Sequence, residues 1–265
     1  QQAISKFGDF LHTVTNSNKY LVSVRNDGSY NTIKTLYNSK YDDSVYKVPD
    51  GAFFFKTKSY EFPRMNEYKT IGINIAADMK EIRFNKNLTY EEFIEDFAKV
   101  INEFLKENND YQIMLFPHIY SDLEAINTLL NHINDIFRRT KIIVAPCLIG
   151  KDSEKYIFNL YKKCELILGM RFHSNVCAIA QEIPTIALAS YKKINDLYTE
   201  INLNERVINI NEKGFDKSLK QEIKNTINNL DGIASSYADV NSKIENEADE
   251  FFIIMKNWAK KNSII

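Results

Sequence analysis

The sequence predicts an α/β protein, a doubly wound parallel-sheet domain with a second α/β domain, whole or incomplete, at its N-terminal side, and three observations carry that expectation. From Thr70 onward short apolar runs alternate with segments of helical periodicity. The runs are nearly continuous in apolar residues, the pattern of strands covered on both faces. The first 67 residues carry strand and helix signals of the same kind but stand outside the repeat.

In chain order, residues 20–24 (Tyr-Leu-Val-Ser-Val) read as a strand, the segment from about Ser29 to Leu36 as a helix, and residues 45–48 as a strand ending at Pro49-Asp50-Gly51. Ile71-Gly72-Ile73-Asn74-Ile75 opens the repeat. A helix follows from Thr89, with Phe93, Ile94, Phe97, Val100, Ile101 and Phe104 in an i, i+3, i+4 rhythm. Residues 112–116 form the next strand, and Leu123, Ile126, Leu129, Leu130, Ile133, Ile136 and Phe137 lie on a single helix. Then come a strand at 141–145, a short helix at 156–161, a strand at 166–169, a helix from Ser174, a strand at 185–188, a helix at 195–201 and a strand at 206–210. Finally Tyr237, Val240, Ile244, Ala248, Phe251, Phe252, Met255 and Trp258 fall on one face of a long helix that seeks an apolar partner across the domain junction. The expected divisions are residues 1–67, 68–232 and 233–265.

Composition narrows the function classes. With 34 Lys and Arg against 35 Asp and Glu in 265 residues, the net charge of -1 gives no global attraction to nucleic acid, so any anion must be met by a local cluster. Cys147, Cys164 and Cys177 are odd in number and embedded in apolar segments, which predicts buried free thiols and a cytoplasmic setting. The apolar runs are shorter than a membrane span, and no His/Asp/Glu cluster has ligand spacing, so no metal is expected.

The strongest local feature is the junction Leu168-Gly169-Met170-Arg171-Phe172-His173-Ser174-Asn175. A central strand ends in Arg-x-His and runs into a helix, with Ser174 or Asn175 expected as its N-cap. In open α/β sheets ligands sit beyond the carboxyl ends of strands, and a helix start offers unpaired N–H groups. Arg171 and His173 therefore stand at the mouth of a phosphate- or carboxylate-sized site.

That block, with Ala178-Ile-Ala-Gln-Glu-Ile-Pro-Thr-Ile-Ala-Leu and Ser190-Tyr-Lys-Lys-Ile-Asn after it, resembles the signature of the polysaccharide pyruvyl transferase family. Phe116-Pro117-His118 with Asp122, Val22-Ser23-Val24-Arg25 with Ser29, and Val48-Pro49-Asp50-Gly51-Ala52-Phe53 resemble further elements of it, so the likeness covers roughly residues 20 to 205. The resemblance implies a GT-B-like two-domain arrangement and transfer of pyruvate from phosphoenolpyruvate, as a ketal, onto a sugar of a bacterial cell-surface polysaccharide or its precursor. It implies no cofactor, with phosphoenolpyruvate as co-substrate. The partner is a glycan or lipid-linked acceptor, the latter met peripherally at a membrane. Carried over residue by residue, it places Arg171, Ser174, Asn175, Ser190, Tyr191, Lys193 and Arg25 in substrate binding. His173, His118 and Asp122 take the catalytic roles.

The chain also departs from the family pattern. A glycine-rich first strand-turn-helix is not seen before Tyr20, which leaves an incomplete first domain or a divergent member as alternatives. Asn26 and Gly51 replace an aspartate and a proline, and Ala76-Ala77 stand where many members carry an arginine, with Arg83 as the substitute.

The residue types suit the chemistry. Phosphoenolpyruvate carries two anionic groups, and charge-assisted bonds from an arginine fork contribute on the order of 1.5–3 kcal/mol each. Ketal formation also needs a group that titrates near neutrality, for which histidine is the natural candidate. His173 is expected to hold or protonate the departing phosphate, and His118 or Asp122 to move the acceptor proton. Bland rivals stand beside these roles: His118 as a cap of the following helix, Lys193 as a solvated lysine, Arg25 as a bridge between domains, Phe53-Phe54-Phe55 as junction core. A GT-B glycosyltransferase using a nucleotide sugar, with Glu205 or Asp196 on the ribose, and a non-catalytic glycan- or partner-binding relative are the alternative functions.

Overall fold

The computed structural model describes residues 2–55, 57, 68–84 and 87–264. The first part comprises α1 (Gln2–Thr15), β1 (Val22–Arg25), α2 (Ser29–Leu36) and β2 (Val45–Val48), followed by a 3-10 turn at Gly51–Phe54. β1 and β2 pair in parallel, and Leu11, Ile33, Tyr41 and Val45 form the small core beneath them. The expected boundary after residue 67 abuts residues 58–67, outside the described residues.

The remainder runs β3 (Lys69–Asn74), α3 (Lys80–Arg83), α4 (Tyr90–Glu107), β4 (Tyr111–Leu115), α5 (Asp122–His132), α6 (Asp135–Thr140), β5 (Ile142–Val144), α7 (Ser153–Tyr161), β6 (Leu166–Gly169), α8 (Phe172–Ile179), β7 (Thr185–Ala189), α9 (Lys192–Glu200), β8 (Val207–Asn209), α10 (Phe215–Ile227) and α11 (Leu230–Lys261). Its strands make one parallel sheet in the order β5-β4-β3-β6-β7-β8. Winding runs outward one way from β3 and the other way from β6, so the crevice of a doubly wound sheet opens between the ends of those two strands.

Strand alternation divides the core into two layers. Ile113, Leu115, Leu166, Leu168, Ile186 and Leu188 pack with the buried faces of α4, α5 and α10. Met114, Phe116 and Ile167 face α7 and α8, and Ala187 and Ala189 face α8, α9 and α11. With both faces covered, the central strands have no polar side to show, which is why they read as unbroken apolar runs. α4 is closed at its N-terminus by a capping box between Thr89 and Glu92.

Three elements differ from expectation. The segment read as one helix over 123–137 is two, because Ile133 is extended and Asn134 caps α6 by accepting the Ile136 N–H. α8 begins at Phe172 with Arg171 as its N-cap residue, so neither Ser174 nor Asn175 caps it. The apolar stripe of α11 is buried only in its first half: Tyr237, Val240, Ile244 and Ala248 are covered, whereas Phe252 is 55% exposed and Met255 39%.

α11 nonetheless touches both parts of the chain. The Tyr237 hydroxyl donates to the Thr185 carbonyl (3.1 Å) and accepts its N–H (3.2 Å) at the start of β7. Phe251 packs on Tyr46, and the Trp258 indole donates to the Asn18 carbonyl. Among the described residues no helix is long and apolar enough to cross a membrane. Cys164 and Cys177 are buried free thiols, and Cys147 is half-buried.

Candidate active site

β6 ends at Gly169, where a Cβ would lie 2.7 Å from Ser174 Oγ and 3.0 Å from Asn175 Nδ2. The bare backbone lets those side chains fold back under the junction. Ser174 Oγ donates to the Arg171 carbonyl (2.7 Å), and Asn175 Nδ2 donates to the carbonyls of Gly169 (2.9 Å) and Arg171 (2.8 Å). Asn175 Oδ1 accepts from Tyr198. Both residues are fully buried and shape the backbone of the Arg171 turn, in place of the cap expected of them. From the other side of the crevice Asn74, last residue of β3, accepts the Arg171 N–H (3.0 Å) and donates to the Phe116 carbonyl (2.9 Å). One side chain thus ties the ends of β3, β4 and β6.

Arg171 is not the free fork that its sequence position suggested. Its Nε donates to both Asp122 oxygens (3.0 and 2.8 Å), and its Nη2 donates to Asp122 and to Asp78 (2.7 Å). Asp122 has no solvent exposure and also accepts the N–H of His118 (2.9 Å). It is the counter-ion that holds Arg171 in place, with its oxygens turned to Arg171 and to backbone N–H groups. Burial works against the Asp78 charge, but Arg171 and Arg83 hold its pKa below the usual carboxylate range.

Arg83, the expected substitute for the missing loop arginine, is 2% exposed yet reaches the same place. Its Nε donates to the Asp78 carbonyl, its Nη1 to Ser190 Oγ (3.0 Å), and its guanidinium lies 4.8 Å from the centre of the Tyr191 ring. Ser190 is therefore a buried support for Arg83, with Tyr191 beside it.

His118 follows β4 and is half-buried. Burial pushes its pKa down to about 4, so the ring is neutral at pH 7. Its Nε2 lies 2.6 Å from the Tyr161 hydroxyl, and burial raises that phenol well above its ordinary value. The phenol keeps its proton, and the ring and the hydroxyl share one hydrogen bond whose donor is set by the tautomer of the imidazole. His118 can thus offer a hydrogen bond or accept a proton, but it carries no surplus proton at neutral pH.

His173 lies in the first turn of α8, 54% exposed, with Nε2 3.7 Å from Asp50 Oδ1. Burial opposes the charge on Asp50, but His173, the Ala52 N–H and Arg25 outweigh it and hold the carboxyl far below its usual range. Arg25 binds Asp50 (2.7 Å) and Asp27 (2.9 Å), and Lys193 sits 3.2 Å from Asp27. Both cations lie over the Phe172 ring, at 4.5 and 4.8 Å. Arg25 and Lys193 form a bridge joining β1 to α8 and α9, behind the cavity and not in its wall.

A cavity of about 600 Å³ gathers Arg171, Arg83, His118, His173 and Tyr191. Phe55, Phe158 and Leu148 give it a broad apolar side, with Phe55 edge-on to Phe158 at 5.5 Å. Of the Phe53-Phe54-Phe55 run, Phe53 is core, Phe54 is 42% exposed and Phe55 joins the cavity. Cys177 also lines it, but burial pushes its thiol up to about 12, so it stays protonated. Asp196 and Glu205, the carboxylates considered for a ribose, lie outside the lining. Among the described residues no group of three or more His, Cys, Asp or Glu is placed to hold a metal ion. Asp78 and Tyr161 were not foreseen as site residues, and Asp50 only as part of a turn motif, since each acts through a partner distant in the chain.

Comparison with known proteins places this geometry. A GT-B-like α/β fold is shared with a glycosyltransferase from Rickettsia africae (TM-score 0.55, 16% identity, 95% of this chain and 67% of that one). It is shared also with the S. aureus MnaA-UDP co-structure (TM-score 0.54, 17% identity, 82% and 56%) and with TarM (TM-score 0.54, 12% identity, 93% and 45%). The chain spans about half the length of the last two, and at these identities the likeness is one of fold. No curated protein sequence gives a significant match. The family model for polysaccharide pyruvyl transferase matches residues 4–191, which include β1, the Asp50 turn, His118, Arg171, His173 and Tyr191, and the chain belongs to that family.

Proposed function

We propose that the cavity binds phosphoenolpyruvate against Arg171, Arg83 and the start of α8, and that the protein transfers the pyruvyl group to two hydroxyls of a cell-surface glycan or its lipid-linked precursor, in the cytoplasm. The observation that carries this is the convergence of two arginines and two histidines on one cavity. Family membership supports the reaction class.

The protein supplies position and protons. The outer nitrogens of Arg171 and Arg83, together with the first-turn N–H groups of α8, which lack intrahelical acceptors, hold the donor's carboxylate and phosphate. As the first hydroxyl adds to C2, its proton leaves to a base. The electron pair of the C2=C3 bond takes a proton from protonated His173, which the solvent can recharge. Phosphate then departs with the C2–O pair, the second hydroxyl closes the ketal at C2, and its proton leaves with the phosphate. His118 hydrogen-bonds a substrate oxygen.

Calorimetric titration of phosphoenolpyruvate into the wild type and into His173→Ala tests this. His173 is the suitable position because its side chain is 54% exposed and Arg25 and the Ala52 N–H still hold Asp50 when it is removed. The expected result is micromolar to millimolar binding, weakened at least tenfold by the substitution. A folded wild type that gives no heat with phosphoenolpyruvate, but binds a UDP-sugar, would refute the donor assignment in favour of glycosyl transfer.

A further inference from the structure

The cavity wall holds one carboxylate that no cation claims. Glu154 stands in the first turn of α7, and Ile157 and Phe158, three and four residues on, line the same cavity. That spacing puts the three on one helix face, so Glu154 belongs to the wall by register as well as by contact. It is the single acidic residue among the described residues of the lining. The carboxylates around it are all occupied: Asp122 by Arg171, Asp78 by Arg171 and Arg83, Asp50 by Arg25 and His173. Glu154 makes no hydrogen bond or ion pair with another described residue.

The reaction also lacks a base. Asp122 is sealed beneath Arg171, and the Nε2 of His118 is engaged by the Tyr161 hydroxyl at 2.6 Å. His118 flanks α7, edge-on to Phe158 at 5.4 Å, so the helix that carries Glu154 also borders the imidazole that can steady a sugar oxygen.

We propose that Glu154 is the general base for the acceptor, an inference that rests on the pyruvyl-transfer reading above. Its carboxylate accepts a hydrogen bond from the attacking sugar hydroxyl and takes that proton as the oxygen bonds to C2 of phosphoenolpyruvate. The C2=C3 pair forms the new C3–H bond with the proton of His173, and the proton held on Glu154 returns to solvent before the next turnover. Phosphate leaves with the C2–O pair in the second step, as before. On this assignment Glu154 meets the acceptor hydroxyl and not the donor, so donor affinity does not depend on it.

The test compares the wild type, Glu154→Gln and Glu154→Asp as full chains. Phosphoenolpyruvate is titrated calorimetrically, and turnover is read as phosphate release with a panel of methyl hexopyranosides and as pyruvate formation with water as acceptor. Glu154→Gln is expected to keep the phosphoenolpyruvate Kd within about twofold and to lose about a hundredfold in kcat, within the usual contribution of a general base. Glu154→Asp should recover part of that loss, and the acid limb of the wild-type rate profile should be absent in the glutamine variant. Wild-type rates in Glu154→Gln overturn the proposal, as does a matching loss of phosphoenolpyruvate affinity. A wild type that binds phosphoenolpyruvate but turns over with neither sugar nor water also overturns the base assignment. A folded wild type that does not bind phosphoenolpyruvate instead removes the pyruvyl-transfer reading, and the inference with it.

Discussion

Replacing Arg171 by alanine takes away the cation that faces Asp122, a carboxylate with no solvent exposure. Three Arg171 N–H contacts to Asp122 are lost together with the ion pair to Asp78, while the backbone donors of His118 and Ile119 remain. An uncompensated buried charge of this kind costs about 3–5 kcal/mol. In a chain of this size each kcal/mol moves the melting temperature by about 2–4 °C, so the midpoint should fall by roughly 10 °C. The decisive comparison adds Arg171→Ala/Asp122→Asn, in which the stranded charge is removed but a side-chain oxygen is kept as acceptor for the His118 and Ile119 N–H groups. The double variant should regain at least about half of the loss, since most of it comes from the uncompensated charge. Thermal unfolding followed by circular dichroism reads both. A single variant that melts within about 2 °C of the wild type would refute the argument. The same reasoning explains why loss of binding in Arg171→Ala says little about the donor, and why His173 is the better probe.

Two other outcomes follow from the geometry. His118 has a pKa near 4 in the fold against about 6.5 in an unfolded chain, so the unfolded state binds more protons between those values. Stability should therefore be complete above about pH 6.5 and fall as the pH is lowered toward 4, at a rate of up to about 1.4 kcal/mol per unit. His118→Gln should flatten that limb in urea titrations at stepped pH, and an unchanged limb would count against the burial argument. Tyr237→Phe strands the Thr185 N–H in the core, while the Thr185 carbonyl keeps the Arg206 Nε donor, which should cost about 1–3 kcal/mol, read as an earlier urea midpoint. A neutral result would mean that water reaches that position.

The fold was legible where a single physical demand ruled a segment. β3, β4, β6 and β7 are covered on both faces, so their apolar runs admit no other element, and Thr89 with Glu92 marks the start of α4 within four residues. α8 was misplaced at its start because Ser174 and Asn175 are capping residue types whose side chains here bond back to Gly169 and Arg171. The break at Ile133 was hidden by apolar residues that keep helical spacing across it, although Asn134-Asp135 is a readable second start. At the site, the Arg-x-His junction and Pro117-His118 were visible as local motifs. The partners that decide their state were not: Asp122 and Asp78 lie 49 and 93 residues from Arg171, and Tyr161 lies 43 from His118. Pairings at such range leave no mark on local composition. Glu154 had a weak mark, its i+3 and i+4 spacing to Ile157 and Phe158, on a helix whose charged residues otherwise read as a solvated face.

The placement of Tyr237, Val240 and Ile244 against α8, α9 and β7 has a consequence for synthesis. When the last strand of the large sheet, ending at Asn209, has been made, one wall of its core does not yet exist. Translation at about 5–20 residues per second delivers the rest of α11 roughly 3 to 10 s later. Throughout that interval the nascent chain carries a finished set of strands with an open apolar flank. A chain cut short after residue 230 would lack Tyr237, Val240 and Ile244 and leave that flank of the core uncovered.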